Sequence, residues 1–156
     1  MTGTSPARVV ADADVLAADL LSGGAAREAL DAARSHSWVD LVASDPLLDD
    51  AEAVVAALAD AELAADWRQR VERERVPVEH AAGDHPALAS AYEGNAAHVL
   101  SFDEGLTSAG ANLSLKPHVQ VSVRTPAAFV ALFDPAALYE AVEGGEYPGP
   151  DRDPRG

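Results

Sequence analysis

The stretch Arg8-Val9-Val10-Ala11-Asp12-Ala13-Asp14-Val15-Leu16 decides the fold class. A short apolar run stops at an acid, and a run of that length reads as a buried strand. Val15 to Leu21 follows with helical character and is stopped by Gly23-Gly24. Outward from there, strand and helix keep alternating. Ala25 to Ser35 carries Ala26, Leu30 and Ala33 on one helical stripe, and Asp40 to Ala43 is a second strand. Ser44-Asp45-Pro46 pairs a capping residue with a first-turn proline, opening a helix through Leu47, Leu48, Ala51, Val55 and Leu58. Ala61 to Glu74 is helical, and Val76-Pro77-Val78 is a short edge strand. Asp84-His85-Pro86 starts a helix that ends near Gly94-Asn95, and His98 to Ser101 is a strand leading to Asp103. Val119 to Val123 is the last strand, and Thr125-Pro126 opens a final helix with Phe129, Val130 and Phe133.

This alternation predicts a three-layer α/β/α sandwich with a central, mostly parallel sheet of four or five strands. The domain is expected to span residues 1–142. Residues 143–156 are rich in Gly, Pro and charge, a composition that predicts a disordered tail.

Composition narrows the class further. The 156 residues suit one domain with a real core, at 48% hydrophobic residues. No apolar run approaches the ~18 residues of a membrane span, and Met1 to Pro6 lack a secretory n-region, so a cytoplasmic location is expected. The absence of cysteine excludes disulfides, thiolate catalysis and cysteine-based zinc sites. Asp and Glu total 26 against 11 Lys and Arg, a formal charge of −15. Such a carboxylate surface suits a salt-adapted proteome, where self-repulsion is screened. It also opposes ordinary nucleic-acid binding, which uses basic patches.

Most of those acids are solvated surface, but some fall at special places. Asp12 and Asp103 each follow a strand, Asp14 lies two residues beyond Asp12, Asp84 opens a helix, and Asp50 lies in the helix after the second strand. A parallel sheet brings strand ends and helix starts to one edge. Carboxylates gathered there would suit Mg²⁺ or Mn²⁺, which take oxygen ligands. Two carboxylates about 5 Å apart repel by roughly 3 kcal/mol at an effective dielectric near 20, so several together need a cation or raised pKa values. Spacing alone is weak here, since 26 acids offer many accidental sets, and Asp84 also reads as a plain N-cap.

Three segments resemble the PIN-domain family, which includes VapC-type toxins. The first is Arg8 to Leu16, an apolar strand ending in Asp, one residue, then Asp. The second is Asp84 to Leu106: an Asp opens an Ala-rich helix, a Gly-containing turn follows, and a strand ends in Ser101-Phe102-Asp103. The third is Val121 to Phe129, a closing strand with a Pro-headed helix. The resemblance covers about residues 8–133. It implies a PIN-like fold and a metal-dependent ribonuclease. Asp12, Asp84 and Asp103 would hold Mg²⁺ or Mn²⁺, Asp50 would orient a water or second ion, and Asp14 and Ser101 would support them. It further implies single-stranded RNA as substrate, a homodimer, and an antitoxin-like protein partner. The family carries a Glu where this chain has Asp50, with Asp49 and Glu52 as the competing registers.

Other readings stand beside this one. A degenerate PIN-like scaffold or interaction module fits the Asp50 departure and the negative charge. A haloacid-dehalogenase-like phosphatase shares the Asp12-Ala13-Asp14 pattern, but Lys116 is the only lysine and is poorly placed for that chemistry. Arg68, Arg70 and His85 are candidate RNA contacts. For the arginines the competing expectation is a solvated helix face with Arg68–Glu72 and Arg70–Glu74 pairs.

Overall fold

A computed structural model of the chain describes residues 4–81, 83, 85–104, 106, 114–116 and 119–154. Seven strands and seven helices are found among them: β1 (Ser5–Ala11), α1 (Ala13–Leu21), α2 (Gly24–Arg34), β2 (Asp40–Ser44), α3 (Asp45–Leu58), α4 (Ala61–Glu74), β3 (Val76–Val78), α5 (Pro86–Glu93), β4 (Ala96–Leu100), β5 (Ser114–Lys116), β6 (Val119–Gln120), β7 (Ser122–Arg124), α6 (Pro126–Leu132) and α7 (Pro135–Val142).

The main sheet has five strands in the order β3-β2-β1-β4-β7. Every pairing in it is parallel. Parallel strands are covered on both faces, which explains why Val9, Val10 and Ala11 in succession are all buried. Helices flank the sheet on both sides, giving the three-layer α/β/α sandwich. A separate antiparallel pair, β5 with β6, lies outside it.

Strand order fixes the functional edge. From β1 the chain steps through β2 to β3 on one side, and then crosses back to place β4 on the other side of β1. Order therefore reverses between β1 and β4, the place where open α/β sheets bind ligands beyond their strand ends. Side-chain caps turn the chain from strand to helix at this edge. Asp12 accepts from the Ala13 amide, Ser44 from the Leu47 amide, and Thr125 from the Ala128 amide.

Leu16, Leu30, Leu47, Leu48 and Leu100 are among the fully buried side chains, and Trp67 joins the same core. One charge pair is held within the fold: Arg34 donates to Asp19 at 2.7 and 3.2 Å. Among the described residues no helix is long and apolar enough to cross a membrane.

Three expectations needed revision. The helix opened by Thr125-Pro126 was expected to be the last, but Pro135 begins another, α7, capped by Asp134. The apolar run Val119 to Val123 is divided: β6 pairs antiparallel with β5, and β7 joins the main sheet. The tail from Glu143, expected to be disordered, lies against the domain as far as Pro154. His36 Nε2 and the Tyr147 hydroxyl are 2.6 Å apart. Asp151 accepts from the Ser37 amide at 2.7 Å and from the Ser37 hydroxyl. The Asp151 and Arg152 amides both donate to the Ser35 carbonyl.

Candidate functional site

The carboxyl ends of β1 and β4 bring together Asp12, Asp14, Ser101 and Asp103. The join is direct, because the Asp12 amide donates to the Leu100 carbonyl at 2.8 Å. Ser101 has no solvent exposure. Its hydroxyl donates to Asp12 Oδ2 at 2.9 Å and accepts from the Asp103 amide at 3.0 Å. One hydroxyl thus fixes a carboxylate of one strand end and the backbone of the other. Asp12 Oδ1 accepts from the Ala13 amide at 2.8 Å, so both of its oxygens are oriented.

Asp14 completes the group. Its Oδ2 accepts from the Phe102 amide at 3.1 Å, while Oδ1 is buried with no hydrogen-bond partner among the described residues. Burial raises the Asp14 carboxyl above its ordinary value, and the Asp12 charge adds to this. The Phe102 and Val15 amides oppose the rise, and Asp103 adds a smaller push upward. Asp14 therefore senses the charge of both other acids. Asp103 itself is exposed.

Other expected members fall elsewhere. Asp84 lies outside the described residues. His85 is exposed at the start of α5 and offers no side-chain cap. Asp50 is exposed on α3 and, among the described residues, makes no hydrogen bond to Asp12, Asp14 or Asp103. Its rivals are committed to other work. Arg68 donates to Asp49 at 2.7 Å and to Glu52 at 3.1 Å, and lies 3.6 Å from Asp45. Successive helical residues are about 100° apart, so Asp50 is turned away from the Asp49 position that faces Arg68.

The arginines behave as a paired helix face. Arg68 bonds Glu72 at 3.1 Å, and Arg70 bonds Glu74 at 3.2 Å. Arg70 also donates to the Pro154 carbonyl at 3.3 Å. Arg68 is thus occupied by four carboxylates.

Among the described residues no group of three His or acidic side chains is placed closely enough to hold a metal ion. The donors that are present suit a hard cation. All are carboxylate or hydroxyl oxygens, one buried carboxylate oxygen lacks a partner, and the acids repel one another.

The sequence reading missed two contributors. The Phe102 amide is backbone, and side-chain pattern carries no trace of it. The second is a contact between His80 Nε2 and Ser44 Oγ at 2.8 Å, which ties the segment after β3 to the end of β2. Thirty-six residues separate the two, and the capping motif that holds Ser44 gives no sign of His80.

The chain belongs to a family of unknown function (DUF7384), whose model matches residues 3–155. No curated protein and no solved structure matches it.

Proposed function

We propose that this DUF7384 member is a Mg²⁺- or Mn²⁺-dependent ribonuclease of the PIN type, acting on single-stranded RNA at the β1/β4 edge. The observation that carries this is the Ser101 hydroxyl bridging Asp12 and the Asp103 backbone at the point where strand order reverses. The resemblance of residues 8–16 and 84–106 to PIN motifs supplies the reaction class.

Asp12 and Asp103 would hold the cation together with Asp84, the ligand implied by the resemblance that lies outside the described residues, and Asp14 would support them. A divalent ion there supplies a polarised phosphoryl oxygen and an acidified water. The residues themselves prepare the edge. The Ala13 amide and the Ser101 hydroxyl each hold one Asp12 oxygen, and each oxygen keeps further acceptor capacity. The Phe102 amide holds Asp14 Oδ2 and leaves Oδ1 available. Asp50 would enter only through a water or a second ion, given its place on α3. RNA affinity in a chain of charge −15 would rest on cation-bridged phosphate and on base stacking rather than on basic side chains.

Calorimetric titration with Mn²⁺ and cleavage of single-stranded RNA at high salt test this. The wild type should bind Mn²⁺. Asp12→Asn and Asp103→Asn should each weaken binding at least about tenfold, and Asp12→Asn should abolish cleavage. A wild type that binds no divalent ion would exclude the nuclease. It would favour a second reading, a degenerate interaction module, which the exposed Asp50 and the lack of a three-acid group among the described residues support.

A further inference from the structure

A pocket of about 310 Å³ lies between the β4–β7 side of the sheet and helices α6 and α7, apart from the acid cluster. His98 and Arg124 form its polar part, and Phe129, Leu132, Phe133 and Leu138 form most of its apolar part. His98 and Ser122 are register partners, so His98 and Arg124, two residues further along β7, project from one face of adjoining strands.

Two polar side chains here lack partners at buried atoms. His98 Nδ1 and Arg124 Nε are both buried, and neither has a hydrogen-bond partner among the described residues. Arg124 makes no ion pair among the described residues either, in a chain where acids outnumber bases 26 to 11. Buried polar groups are normally satisfied, and leaving one unmade costs about as much as a lost hydrogen bond. Among the described residues Arg124 is a donor with no acceptor on it, and neutral His98 donates from one ring nitrogen, so their two side chains on one pocket wall point to an occupant that supplies acceptors.

The lining also limits what that occupant is. Burial, and then the Arg124 charge, hold the His98 imidazole below its ordinary pKa, so near neutral pH it is uncharged and Arg124 supplies the one positive charge. Asp134 contributes a negative charge to the lining while its Oδ1 caps α7. With Asp134 offsetting the one cation, the lining disfavours a phosphate dianion, and a single anionic group on the Arg124 guanidinium is the most it accommodates. Phe129 and Phe133 stack with centroids 5.2 Å apart, and His98 meets Phe129 edge-on at 5.6 Å, giving a flat apolar wall. The volume is at the small end for ligand sites, excluding large ligands. Leu132, 62% exposed, leaves the pocket open to solvent.

We propose that this pocket binds a small apolar carboxylate, with the carboxylate on Arg124 and His98 and the apolar body against Phe129 and Phe133. This is independent of the nuclease reading. The Arg124 backbone is nevertheless tied to the acid cluster, its carbonyl accepting from the Ser101 amide at 2.9 Å.

The test is calorimetric titration of the full chain, without divalent ions, using phenylacetate, hexanoate, phenylacetamide and inorganic phosphate. Arg124→Met removes the charge and keeps the stem. Ala137→Trp fills the pocket from an exposed helix position, so it reports even if the Arg124 variant fails to fold. At least one carboxylate should bind. Phenylacetamide and phosphate should bind at least about tenfold more weakly, and each variant should weaken the carboxylate by a similar factor. The proposal is overturned if neither carboxylate binds, if phosphate or the amide binds as well as they do, or if binding survives Ala137→Trp.

Discussion

Ser101 is a hydroxyl with no solvent exposure set between two acidic segments, and its loss has a calculable consequence. Alanine would leave Asp12 Oδ2 and the Asp103 amide each without that partner. An unsatisfied group of this kind costs about 1–3 kcal/mol, so Ser101→Ala should lower unfolding stability by about that much in urea titration. If the edge binds Mn²⁺, the variant should also bind it about 10- to 100-fold more weakly, as loss of a carboxylate's outer partner does. Unchanged stability would mean that the bridge carries no energy. At this scale the sequence is readable where a residue type meets a strand end. Asp12 and Asp103 sit where an apolar run stops, and parallel topology then puts them on one edge. Asp50 was not readable in this way. Its place in α3 followed from capping and periodicity, but Arg68 determines which flank of the helix is occupied, and Arg68 comes from α4.

Elements meet closely where α5 turns into β4. Gly94 ends α5 with φ at −92°, a conformation open to any residue, so the need for glycine there is spatial. A Cβ at this position would come 2.5 Å from Val42 Cγ1 and 3.1 Å from the Ser90 carbonyl oxygen. Val42 is fully buried in β2 and cannot retreat without disturbing the core. Gly94→Ala should therefore destabilise the fold by about 1–3 kcal/mol, as overpacking does. Chemical denaturation measures this, and a stability equal to wild type would show that β2 can shift freely. Element identity was largely legible. Ala61–Glu74 and Val76–Val78 have the expected bounds, because a cap and a proline mark them. The errors came where one apolar run serves two structures. Val119 to Val123 is a continuous strand pattern, but long-range pairing assigns β6 to β5 and β7 to β4. Asp134-Pro135 carries a start signal like Ser44-Asp45-Pro46, and it opens α7 beyond the helix expected to be the last.

The whole molecule carries a charge of −15, and its architecture distributes that charge unevenly. Composition alone predicts a loose tail, yet Tyr147 and Asp151 anchor it at His36 and Ser37. Composition averages over a segment, whereas docking depends on a few contacts. The same limit applies to net charge, which does not reveal that Arg68 gathers Asp45, Asp49, Glu52 and Glu72 around one guanidinium. Arg68 is 15% exposed and Asp49 is 67% exposed, so these bonds lie at the surface and each is weak alone. Their shared effect is to hold four acids of α3 and α4 side by side. Unpaired, those acids would repel, and salt would relieve the repulsion, since the screening length falls from about 10 Å at 0.1 M to about 3 Å at 1 M. Two melting series in KCl test this reasoning. The wild-type midpoint should rise with salt over that range, because self-repulsion of the whole surface is being screened. Arg68→Met should melt lower than wild type at 0.1 M, and the gap should narrow toward 1 M. Parallel curves would mean that Arg68 acts through packing of its stem, and that the four acids impose no electrostatic load on the α3–α4 pair.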